Sequence, residues 1–235
     1  MDNKLWYLSK VSIFEALAEQ DLQELDQIAP MTHFDALPKG TLIQTPDTNR
    51  DGLFFIKQGK LRLYKISLEG KQFTAGILGK GNMFGEIDTF SFGTGGIYIE
   101  TLEETMICSI PREQFEAFLS KRPELAMKLL AEFSTLLRER DEMLEKLAFG
   151  DLRERVLHLL LKLSEKFGIG KEDPVKIDLA LTHQEIANMI GATREAVTVV
   201  LNELVRDGML ETGRKSIAVY QAASRSCLEL GCKSK

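Results

Sequence analysis

The hydrophobic period of this chain changes abruptly at Pro111, and no single-class fold accommodates both sides of the change. Before it, short β-type apolar runs occupy 41–43, 53–56, 61–66, 73–78, 97–99 and 106–110, and such runs bounded by turn residues read as strands. Gly40, Gly59, Gly70, Gly79, Gly81 and Gly85 fall between or at the ends of the runs. Glycine adopts positive φ at little cost, so tight turns and an antiparallel roll or barrel follow. Ahead of the roll, 12–17 and 19–28 carry apolar residues at helical spacing, which predicts a small helical cap. After Pro111 the residues Ala126, Leu130, Phe133, Leu137, Arg140, Leu144 and Leu147 alternate steps of four and three. That is a heptad seam on one long helix.

A strict 3.5-residue period is what two paired helices require, so the seam predicts a dimer. The competing reading lays the helix on its own roll, and Leu129 and Leu136 beside the seam supply the wider stripe that burial would need. Arg140 on the seam costs stability unless paired, for instance with Glu139 or Glu142 of a partner helix, and would fix the register. Gly150 ends the helix and Asp151 is placed to cap the next one. The expected domains are 1–121, a sensory β-roll with its cap; 122–150, the dimerisation helix; and 151–235.

Composition narrows the class. The 235 residues are 44% hydrophobic and 28% charged, the balance of a globular chain and not of a disordered one. No apolar run approaches the ~18 residues of a membrane span, and the N-terminus lacks a signal-type apolar region, so a cytoplasmic protein without a membrane partner is expected. Residues 1–150 carry 17 Lys/Arg against 23 Asp/Glu, whereas 151–235 carry 13 against 12. Any nucleic-acid contact must therefore come from a few placed cations in the second part, since no basic run drives it.

That second part begins with a helix over 151–169, with Val156, Leu157, Leu160, Leu161 and Leu163 inward, and a strand over 175–179. Thr182 then precedes Glu185 at the capping-box spacing. Gly191 ends this short helix, and Thr193 caps another over 194–206 that turns Val197, Val200, Leu201 and Leu204 inward. Helix, glycine turn and second helix make a helix-turn-helix. Two strands joined at Gly213-Arg214-Lys215 add a wing with cations at its tip. Thr182, Gln184, Arg214 and Lys215 suit phosphate contacts, which set register. Arg194 and Glu195 suit base contacts in the major groove, because Arg pairs with guanine O6 and N7 and Glu accepts from cytosine N4. Thr193 and Thr198 complete the DNA-binding set. The alternative is a winged helix used only for protein contacts.

On these residues the chain resembles the family of the cyclic-AMP receptor protein and the fumarate-nitrate reduction regulator. The stretches Leu37-Pro38-Lys39-Gly40-Thr41, Phe55-Ile56-Lys57-Gln58-Gly59-Lys60-Leu61, Gly79-Lys80-Gly81-Asn82-Met83-Phe84-Gly85-Glu86 and Ile110-Pro111-Arg112 look like its cyclic-nucleotide-binding-like β-roll. Leu181-Thr182-His183-Gln184-Glu185-Ile186-Ala187 and Gly191-Ala192-Thr193-Arg194-Glu195-Ala196-Val197 look like its DNA-binding motif. The resemblance implies an α+β fold with β-roll, long dimerisation helix and C-terminal winged helix-turn-helix. It also implies a homodimer that binds a two-fold-related double-stranded operator and recruits or blocks RNA polymerase.

Two departures from the family pattern matter. Members that read TGTGA-type half-sites carry a further arginine four residues past the Glu, where this chain has Val199. Members that bind cyclic AMP use Gly-Glu for the ribose and, about ten residues on, an arginine for the phosphate. Gly85 and Glu86 are present, as an effector-binding pair or with Glu86 only a turn residue, the reading given the larger share, but 87–97 holds no arginine. The phosphate loses its charge-assisted partner, so cyclic AMP is not expected to bind, and no cofactor is predicted.

Of the three cysteines, Cys108 lies in the roll, while Cys227 and Cys232 sit in what reads as a flexible tail, idle or as a redox pair. His33, His158 and His183 lie far apart, so no metal site is predicted. No GxSxG, HExxH, Walker or dinucleotide motif is present, which argues against an enzyme. The rival of another class is a nonregulatory cyclic-nucleotide-binding subunit, which would not need Arg194, Glu195 or the wing.

Overall fold

The computed structural model describes residues 11–15, 17–28, 36–48, 52–87, 90–170 and 172–230. A 3-10 turn (Ser12–Phe14) and helix α1 (Glu19–Ile28) lead into strands β1 (Leu42–Gln44), β2 (Gly52–Gln58), β3 (Leu61–Ile66), β4 (Gln72–Leu78), β5 (Met83–Ile87), β6 (Phe90–Ser91), β7 (Tyr98–Thr101) and β8 (Met106–Ile110). Helices α2 (Arg112–Ser120), α3 (Pro123–Phe149) and α4 (Leu152–Phe167) follow. The chain ends in β9 (Gly168–Ile169), β10 (Val175–Ile177), α5 (His183–Ile190), α6 (Arg194–Arg206), β11 (Leu210–Gly213), β12 (Ser216–Val219) and α7 (Gln221–Leu230). Two compact units result, 1–70 with 74–138, and 139–235 with 71–73. The division falls inside α3.

The first unit is built on two four-stranded sheets, ordered β1-β7-β3-β4 and β6-β5-β2-β8. Strand β2 explains how they share a core. It is buried continuously from Gly52 to Ile56, and successive side chains of a strand point to opposite faces. Phe54 and Ile56 enter the roll interior with Ile43, Leu61, Leu63, Phe84, Ile97 and Ile99. Leu53 and Phe55 pack on the other side with Phe14, Leu25, Phe115, Phe118, Leu125 and Leu129. Arg122 locks the cap to the helices: its guanidinium donates to Asp21 at 2.9 Å, bonds Glu24 and covers the Phe118 ring.

Two expectations change here. Of the first expected helical stretch, Ser12–Phe14 makes a single 3-10 turn instead of an α-helix, with Phe14 N–H bonded to Val11 O. It is too short to repay helix nucleation. Gly85, expected to mark a turn, lies inside β5 opposite Leu53. Its φ is +129°, and a Cβ there would stand 2.2 Å from Gly52 O, so the glycine permits a close strand approach.

Helix α3 divides its apolar residues between two uses. Leu125 and Leu129 are buried, and the half-buried Phe133 ring meets Phe92 at 5.0 Å. Leu130, Leu137 and Leu144, seven residues apart, stay 57%, 63% and 62% exposed in the single chain. Arg140 is also exposed, while Ala126 and Leu147 are half-buried.

In the second unit Asp151 caps α4 by accepting from Glu154 N–H at 2.8 Å. All five expected inward residues of α4 are buried. The helix stops two residues earlier than expected, because Gly168 opens β9, and β10 ends at Ile177 instead of Leu179. The sheet order is β11-β12-β10-β9. The stretch read as a flexible tail forms α7, docked by Gln221 Nε2 on Ser164 Oγ at 3.0 Å and Arg225 on Glu165 at 2.8 Å. No described helix is long and apolar enough to cross a membrane.

Candidate nucleic-acid interface

Local chemistry sets the two helices of the motif. Thr182 Oγ1 accepts from Glu185 N–H at 3.2 Å, and the Glu185 carboxylate accepts in return from Thr182 N–H, a complete capping box. Gly191 closes α5 in the left-handed region at φ 68°, where a glycine escapes the Cβ penalty. Two residues later Thr193 Oγ1 accepts from Ala196 N–H at 3.2 Å and starts α6. The turn between the helices is therefore set by Gly191 and Thr193, while Thr182 fixes the start of the first helix.

Burial then orients α6. Val197, Val200, Leu201 and Leu204 are buried, which leaves Arg194, Glu195, Val199 and Asn202 on the exposed side. Val199 is 57% exposed. At the far end, Arg153 of α4 donates to Asp207 at 2.6 Å and approaches Glu203 at 3.8 Å, so the helix is tied to the body of the unit. Gln184, at the start of α5, is exposed and donates to Asn188 Oδ1 at 2.9 Å. Thr198 is half-buried: its hydroxyl donates to Arg194 O at 2.8 Å and meets His183 Nδ1 at 2.7 Å. The wing turn is Arg214 and Lys215, both exposed, with Lys215 at φ 54°. Tyr220 donates to Glu211 at 2.6 Å near the base of the wing.

Two features escaped the sequence reading. Asn202 stands on the Glu195 and Val199 side of α6, a placement the i, i+4, i+7 spacing from Glu195 would have signalled. The His183–Thr198 contact joins residues fifteen apart, and no local pattern announces it.

The effector pair is arranged differently. Glu86 Oε1 accepts from Thr94 N–H at 2.8 Å and from Thr94 Oγ1 at 2.9 Å, while Gly85 N–H donates to Thr94 Oγ1 at 3.1 Å. Gln44 Nε2 holds the Thr94 carbonyl at 2.6 Å, and Gln44 and Thr94 are both buried. The chain itself thus supplies partners to the Glu86 carboxylate. Cys108 is buried and takes part in no disulfide. Cys227 is half-buried on α7 and disulfide-bonded, in place of an idle thiol; Cys232, like His33, lies outside the described residues. Among the described residues no cluster of three or more His, Cys, Asp or Glu is positioned for a metal.

Residues 34–122 match the cyclic nucleotide-binding domain, and residues 154–223 match the Crp-like helix-turn-helix domain. The chain is 31% identical over 186 residues to the cyclic AMP receptor protein of Thermus thermophilus, covering 79% of this chain and 83% of that one. The chain belongs to the CRP/FNR family of transcription regulators. It is also 30% identical over 183 residues to the global nitrogen regulator of a Nostoc species, covering 77% and 82% of the two chains. A solved structure of a CooA mutant from Carboxydothermus hydrogenoformans superposes with a TM-score of 0.67 at 26% identity, covering 82% of this chain and 85% of that one. CRP/FNR relatives are transcription regulators and not enzymes, and this α+β chain shares their β-roll and helix-turn-helix domains.

Proposed function

We propose that this CRP/FNR regulator acts in the cytoplasm as a homodimer that reads a two-fold-related operator and works on RNA polymerase, without responding to cyclic AMP. The observation that carries the DNA reading is the α6 surface: Arg194 and Glu195 exposed on the first turn of a helix pinned by its caps and by Arg153. Thr182, Gln184, Thr193 and the wing cations Arg214 and Lys215 contact phosphates. Thr198 supports the same face through its bond to His183. In this scheme 1–121 senses, 122–150 pairs and 151–235 binds DNA.

Val199 has no hydrogen-bonding group, and its methyls suit a thymine C5-methyl. Selection from a randomised duplex library is expected to return palindromes that differ from TGTGA at the base Val199 meets. Unaltered TGTGA half-sites would contradict that assignment, and recovery of no duplex would contradict the function.

Cyclic AMP independence rests on Glu86, already engaged by Thr94, and on the absence of an arginine from 87–97. Isothermal titration is expected to show no micromolar binding of cyclic AMP, and a clear isotherm would overturn this. The disulfide at Cys227 supports a second reading, in which thiol state governs DNA affinity. A dithiol reductant that left the affinity unchanged would remove it.

A further inference from the structure

We infer that Asn202 is a further base-reading residue of α6, selective for adenine within the half-site. The inference rests on the DNA-binding reading above and extends it towards the C-terminal half of the helix. At 3.6 residues per turn, Glu195, Val199, Asn202 and Arg206 fall within about 60° of one another and form one straight stripe. The buried residues Val197, Val200, Leu201 and Leu204 lie on the opposite side of the same helix. Asn202 is exposed and points directly away from the body of the unit. From Glu195 to Asn202 the helix rises about 10 Å, or roughly three base steps of about 3.4 Å. Recognition helices that lie along the major groove read base edges over such a span.

Chemistry selects the base. Among the described residues the Asn202 carboxamide has no hydrogen-bond partner, so its donor and acceptor are both available. Side by side, they match the N6 amino group and N7 of adenine. Guanine offers two acceptors, O6 and N7, and would leave the amide oxygen facing a lone pair. Val199, three residues back and adjacent on the helix surface, suits a thymine methyl, so both residues favour A·T pairs. The acidic groups near this end of α6 do not oppose the approach of DNA. Asp207 accepts from Arg153 at 2.6 Å, and Glu203 lies 3.8 Å from the same guanidinium. Arg206, exposed on the Asn202 stripe, adds a cation for the flanking phosphates.

The test uses the full-length protein and a duplex that it recovers from a randomised library. Competition in fluorescence anisotropy against duplexes changed at one base pair per half-site gives the preference at each position. The wild type is expected to prefer adenine at one position by roughly five- to hundredfold per half-site, and Asn202→Ala to lose that preference and keep the others. 7-Deazaadenine at that position replaces the N7 acceptor by C–H. It should weaken the wild type and leave Asn202→Ala unchanged, a coupling that a structural role would not give. A uniform loss across all duplexes, which marks a phosphate contact, overturns the inference, as does a lost preference for another base or a set of preferences identical to the wild type's. In each of those cases the DNA reading itself stands. If no duplex is recovered, the DNA reading fails first and takes this inference with it.

Discussion

Arg194 is the residue on which sequence discrimination depends most. It stands exposed at the first position of α6, and a guanidinium there can pair with both acceptors of a guanine. Arg194→Ala is expected to cost about 1–3 kcal/mol of specific binding and to relax preference at one base pair, read by competition between the selected duplex and single-base variants. A uniform loss across all sequences would place Arg194 on a phosphate instead. His158 of α4 supplies a pH test of stability. Burial, then the Lys162 ammonium, depress its pKa below the usual 6.5, with Glu142 partly opposing. The unfolded chain therefore takes up the proton first, and stability is lost as the pH falls below 6.5 towards the depressed folded value. Urea midpoints of His158→Gln should decline less steeply in that window than those of the wild type; parallel declines would show that His158 contributes nothing.

At the scale of elements, the seam on α3 carries the dimer proposal. Leu125 and Leu129 belong to the chain's own core, so the residues left for a partner are Leu130, Leu137 and Leu144, exposed at heptad spacing. Glu142, one of the partners expected for Arg140, bonds Lys162 of its own chain at 2.9 Å, which leaves Glu139 as the remaining candidate from the sequence reading. Leu137→Glu is expected to give a monomer by sedimentation velocity with its helix content retained. A dimer unaffected by a charge at that position would exclude this seam.

What the sequence revealed about elements depended on range. The caps at Asp151, Thr182 and Thr193 were legible because each bond closes within three residues. The inward face of α4 was legible because its period is local. Strand β5 was hidden by Gly85, whose use depends on Gly52 across the sheet, and α7 was hidden because its anchors lie on α4. The engagement of Glu86 by Thr94 was likewise invisible, since it depends on how the loop after β6 folds back.

For the whole molecule, regulation requires an effector or modification that distinguishes two arrangements of the dimer, because a signal with equal affinity for both shifts neither. The β-roll interior is filled by Phe54, Phe84, Ile97 and their neighbours, with the two rings 5.1 Å apart, and Glu86 is engaged within the chain. Both features fit a regulator whose competence does not await a cyclic nucleotide. The central claim remains that two chains, joined along α3, set their α6 helices in successive major grooves of one duplex. Footprinting combined with sedimentation of the complex on a selected duplex tests it most directly. The account predicts two chains per duplex and two protected half-sites ~34 Å apart; one chain per duplex, or protection of a single half-site, would contradict it.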